Sequence, residues 1–96
     1  GGLTENIPRV IGEGQGVRIN LDSWMLPPVF EWLAKQGGIS NAAMLKTFNC
    51  GIGMVIVVDR QSSHVVAEAL AAQGETVVKL GEVTDVPNVV YDGSLL

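Results

Sequence analysis

Thr47-Phe48-Asn49-Cys50-Gly51-Ile52-Gly53-Met54-Val55-Ile56-Val57-Val58 decides how this chain reads. From Gly53 to Val58 the residues are apolar without a break, and three are valine. A run that short and that apolar predicts a central strand covered on both faces. In front of it, Asn49-Cys50-Gly51-x-Gly53 reads as a tight turn. Glycine there permits positive φ and a close backbone approach, and Asn49 adds both a donor and an acceptor. The two glycines open a strand rather than a helix, so their spacing is no dinucleotide-binding fingerprint.

Working outward, the flanking segments alternate between helical and strand patterns. Upstream, Thr4 stands as the N-cap of a short helix reaching Val10, with Pro8 in its first turns. Gly12, Gly14 and Gly16 mark a loop, and Val17 to Asp22 alternates as a strand with one buried face. Pro27-Pro28 opens a helix that Gly37-Gly38 ends. Ser40 caps the next helix, which closes near Phe48. Downstream, Ser62 or Ser63 caps a helix ending at Gly74. Thr76–Leu80, Glu82–Val86 and Val89–Tyr91 read as strands, with Gly81 as a bend and Asp92-Gly93 as a turn. The order predicts an α+β (mixed α/β) fold, a sheet flanked by helices.

Composition bounds the possibilities. Ninety-six residues suit one domain, with 47% hydrophobic and only 17% charged residues. A net charge of −4 with six scattered Lys and Arg argues against nucleic acid as a partner. No stretch approaches the roughly 20 apolar residues of a membrane helix. The single cysteine, Cys50, excludes an internal disulfide and a cysteine-based zinc site, and a reducing, cytoplasmic setting is the expectation. As a nucleophile Cys50 lacks a partner, because the one histidine, His64, falls at a surface helix start. A small buried thiol is the better reading.

Two segments carry candidate chemistry. Gly1-Gly2-Leu3-Thr4-Glu5-Asn6 puts glycines ahead of a helix, where free N–H groups can meet an anion, and Arg9 lies near enough to add a charge. Equally, this is a capped helix with Arg9 in solvent. The Asn49-Gly51-Gly53 turn is the second. Trp24 and Trp32 read as packing residues. No pair of carboxylates stands at a spacing suited to acid–base work.

Taken together, these residues resemble one family. Gly1-Gly2-Leu3-Thr4-Glu5-Asn6-Ile7-Pro8-Arg9-Val10 resembles the glycine-rich segment of the aminoimidazole ribonucleotide synthetases, the phosphoribosylformylglycinamidine cyclo-ligases. Trp24 with Pro27-Pro28-Val29-Phe30-x-Trp32-Leu33 is similar to the family's next segment, and Thr47 through Met54 to a third. Gly74-Glu75, Leu80-Gly81 and Val90-Tyr91-Asp92-Gly93 fit its C-terminal end. The resemblance implies an ATP-dependent ligase of purine biosynthesis, which closes the imidazole ring of aminoimidazole ribonucleotide from formylglycinamidine ribonucleotide, with ATP and Mg²⁺. It further implies that residues 1–96 are a partial C-terminal domain, with the ATP-binding N-terminal domain absent, and that the full-length enzyme is a homodimer. The candidate substrate or phosphate-binding residues are then Gly1, Gly2, Glu5, Asn6, Arg9, Asn49, Gly51 and Gly53, with no catalytic residue identified and no metal ligand. The alternatives are another member of the same ATP-binding superfamily, such as thiamine-monophosphate kinase, or a non-catalytic α/β binding module.

Overall fold

The computed structural model describes residues 1–95. Its centre is a three-stranded sheet in the order β2-β1-β3, built from β1 (Gly16–Asn20), β2 (Gly81–Thr84) and β3 (Val89–Asp92). β1 runs antiparallel to β2, with Val17 opposite Val83, and parallel to β3, with Val17 opposite Val89. The alternation of β1 sends Val17 and Ile19 into the core and Arg18 and Asn20 outward. On the outer face Arg18 pairs with Asp92 of the neighbouring strand through two hydrogen bonds, 2.5 and 3.1 Å. Gly16 is required by crowding: a Cβ there would lie 1.9 Å from the Val86 carbonyl oxygen.

Helices cover the buried face of the sheet. α1 (Leu3–Asn6) continues as a 3₁₀ turn over Ile7–Val10. α2 (Pro28–Gly37) starts on Pro28 and stops at Gly38, whose left-handed conformation turns the Ile39 N–H onto the Ala34 carbonyl at 2.9 Å. α3 (Asn41–Thr47) is capped by Ser40, whose hydroxyl accepts from the Ala43 N–H. α4 (Ser63–Ala72) ends just before Gly74, which has φ of 91°. The core gathers Leu3 and Ile7, Val17 and Ile19, Met44 and Leu45 around the fully buried Cys50.

The α+β class stands, but four local expectations change. Residues 53–58 form no strand, and Met54, Ile56, Val57 and Val58 are exposed, Met54 by 82%. β1, the central strand, has both edges filled by β2 and β3, and the run joins the outer edge of neither. Thr76–Leu80 likewise makes no ladder of its own, although the Leu80 carbonyl accepts from the Asn20 N–H at the end of β1. Thr4 is not the cap of the first helix. Gly2 holds that position, and the Thr4 hydroxyl instead meets the Tyr91 hydroxyl at 2.7 Å. Ser62 occupies the cap position of α4 without a side-chain bond, and the Ser63 hydroxyl donates back to the Arg60 carbonyl.

Candidate functional site

The first helix and the Asn49 turn meet. Gly2 lies so close to the end of α3 that a Cβ on it would fall 2.5 Å from the Leu45 carbonyl oxygen and 2.6 Å from the Lys46 peptide. With φ of 89° it also uses backbone space that side-chain-bearing residues avoid. Because α3 leads directly into Phe48 and Asn49, this contact places the N-terminal segment beside the turn. Between them lies a cleft of about 300 Å³, whose walls include Gly2, Asn6, Asn49, Ile52, Gly53 and Met54.

Two amides give the cleft its polarity. The Asn6 side-chain nitrogen donates to the Gly2 carbonyl at 2.9 Å, which leaves its oxygen as a free acceptor. The Asn49 side-chain oxygen accepts from the Gly51 N–H at 2.8 Å, which leaves its NH₂ group as a donor. One wall therefore offers an acceptor and the other a donor, amid apolar surface from Ile7, Ile52 and Val55. A group that carries both an N–H donor and an oxygen acceptor matches that arrangement.

The turn is held from behind. Cys50 has φ of 54°, the one positive value outside glycine among the described residues, and Gly51 follows at 95°. The Cys50 carbonyl accepts from the Trp24 indole N–H at 2.9 Å. Its thiol points inward and donates toward the carbonyls of Met44 and Phe48, at 3.5 and 3.7 Å. Burial pushes the thiol pKa up, so Cys50 is an inert packing group rather than a nucleophile. Gly51 abuts the Pro27 ring, where a Cβ would lie 2.6 Å from the ring carbons.

Of the eight candidate residues, Gly2, Asn6, Asn49 and Gly53 line the cleft. Gly1 sits over the Asn6 amide, and Gly51 shapes the turn without lining it. Glu5 and Arg9 are exposed and outside it, so no carboxylate or guanidinium reaches its walls. His64 pairs in solvent with Glu68, one helical turn away, at 2.8 Å. Trp32, read as a packing residue, is 60% exposed on α2. What sequence reasoning missed is the tie from Trp24 to the turn. Its only sequence signal was an aromatic donor ahead of the Pro27-Pro28 pair.

Comparison with known proteins now defines the class. The family described as AIR synthase related protein, C-terminal domain, matches residues 1–93, and the chain belongs to it. A particular relative is the protein named phosphoribosylformylglycinamidine cyclo-ligase from Bordetella petrii, 51% identical over 83 residues. The match covers 86% of this chain and 24% of that protein, so the chain spans about a quarter of its relative's length.

Proposed function

We propose that this chain forms one wall of the substrate cleft in a phosphoribosylformylglycinamidine cyclo-ligase, as the C-terminal portion of a longer polypeptide. The reaction is the ATP-dependent, C–N bond-forming closure of formylglycinamidine ribonucleotide to aminoimidazole ribonucleotide in purine biosynthesis. The family membership supports it. The observation that carries the site assignment is the cleft itself, which joins Gly2 and Asn6 to Asn49 and Gly53 across more than forty positions of sequence.

The cleft's chemistry narrows its share of the work. Among the described residues no three His, Cys, Asp or Glu side chains gather to hold a metal ion. No charged side chain lines the cleft to neutralise a triphosphate. The residues present therefore do not fit Mg²⁺ or ATP, and those groups would be bound by the rest of the polypeptide. What the walls do fit is the formylglycinamidine end of the ribotide: the Asn6 oxygen accepts from an amidine N–H, and the Asn49 NH₂ donates to a carbonyl oxygen. Fixing both ends of a flexible chain favours its folding back for ring closure, a contribution from positioning.

Isothermal titration of the full-length polypeptide with formylglycinamidine ribonucleotide tests this. Asn6→Ala and Asn49→Ala should each weaken binding about tenfold, or about 1.4 kcal/mol, at near-constant melting temperature. Ribose 5-phosphate should not compete. Unchanged affinity in both variants would remove the assignment, and effective competition by ribose 5-phosphate would hand the cleft to the phosphate end.

A further inference from the structure

The lip of the cleft that carries Asn49 is a strained piece of backbone. A non-glycine residue in the left-handed region is unfavourable and persists only where its surroundings impose it. Cys50 is in that region at φ 54°, immediately before Gly51 at 95°. Three contacts impose the conformation. The Cys50 thiol is anchored below by the Met44 and Phe48 carbonyls. Gly51 is wedged against Pro27. The Cys50 carbonyl is fixed by the Trp24 indole N–H.

We infer that Trp24 is a positioning residue for the cleft: it holds the Cys50 carbonyl, and through it aims the Asn49 side chain. The inference rests on the proposed substrate site. Trp24 does not line that cleft. It lines a separate hollow of about 310 Å³ with Asp22, Met25 and Leu26, to which no residue of the turn contributes. Its influence on a bound molecule is therefore indirect and passes through one hydrogen bond. The geometry explains why an indole suits this position. The Cys50 peptide is turned away from any helix or sheet partner, and its oxygen needs a rigid donor reaching across from residue 24. Phenylalanine would keep an aromatic ring there, smaller than the indole and without the donor.

Trp24→Phe in the full-length polypeptide separates this role from simple packing. Two readouts are needed. The first, independent of any ligand, is the rate at which a disulfide reagent labels the Cys50 thiol, in a background where other cysteines are replaced. Release of the turn should speed labelling at least tenfold, with little dependence on added urea, because the opening is local. The second is the affinity for formylglycinamidine ribonucleotide, which should fall severalfold while the melting temperature moves by only a few degrees. Trp32→Phe, which touches neither feature, serves as the control and should leave both unchanged.

Wild-type labelling in Trp24→Phe would overturn the inference. So would labelling that accelerates only in step with lost global stability and rises steeply with urea, since that is a packing defect. Fast local labelling with unaltered ribotide affinity would confirm that Trp24 sets the turn and would instead sink the substrate site on which the turn was placed.

Discussion

The hydroxyls of Thr4 and Tyr91 stand 2.7 Å apart, joining the first helix to the last strand. One end of this chain is thereby pinned to the other, and the cleft residues Gly2 and Asn6 flank the pin. Tyr91 is half-buried, so its hydroxyl has few other partners. Tyr91→Phe and Thr4→Val should each cost about 1 kcal/mol in urea titration. The double variant should cost less than the sum of the two, because both remove the same bond. Full additivity would show that the pair contributes nothing.

Alkali should unfold this protein by a defined route. Burial raises the pKa of the Cys50 thiol above its ordinary 9.0 and that of the Tyr91 phenol above its ordinary 10.0. In each case the folded state keeps its proton at a pH where the unfolded chain has begun to lose it. Stability is then fully present below pH 9 and declines as pH climbs through and past these values. Cys50→Ala should flatten the part of the decline that begins near pH 9, and Tyr91→Phe the part that begins near pH 10. Melting temperatures from pH 8 to 11 would show this, and a Cys50→Ala curve parallel to wild type would refute the assignment to the thiol.

Gly2→Ala should damage fold and cleft together. The added methyl would strike the Leu45 and Lys46 backbone, which cannot swing aside as a side chain can, and φ of 89° is itself unfavourable for alanine. A loss of roughly 2–3 kcal/mol is expected. Gly14→Ala supplies the comparison: it shares positive φ but meets nothing within 4 Å, so it should cost only the conformational part. Equal effects at the two positions would mean that crowding at Gly2 is relieved at no cost.

The isolated 96 residues should associate with one another in solution and show no cyclo-ligase turnover. Met54, Ile56 and Val57 present apolar side chains to water along a segment with no strand partner, which invites pairing with another chain. Ile56→Lys should shift the light-scattering mass toward monomer. A monodisperse wild-type monomer would contradict the association, and turnover by the isolated chain would contradict the division of labour proposed above.

Much of this architecture was legible because its signals are local. Pro28 and Gly38 bracket α2 by their own backbone preferences, Ser40 caps α3 with its own hydroxyl, and the alternation of residues 17–20 sets the faces of β1. The run at 53–58 misled because hydrophobicity reports a wish for cover and cannot say whether a neighbour is there to give it. Strand pairing depends on which segments arrive beside β1, and residues 81–92 take both places. At the cleft, Gly2 and Asn49 were legible through their residue types. Their meeting at the end of α3 was not, since it depends on the close approach of Gly2 to the Leu45 and Lys46 backbone. Arg9 drew attention by its charge, yet the 3₁₀ turn carries it away from the cleft.

The order of strands has a consequence for synthesis. On synthesis β1 emerges ahead of residues 21–80, and both of its neighbours, β2 and β3, come after them. While the ribosome is still adding residues 21–80, Val17 and Ile19 have helices to lean on and no ladder to join. The sheet can close only after Val89 to Asp92 leave the exit tunnel, so assembly is governed by distant contacts and comes last. A nascent chain that stalls short of Val89 can pair β1 with β2 alone and leaves its other edge open.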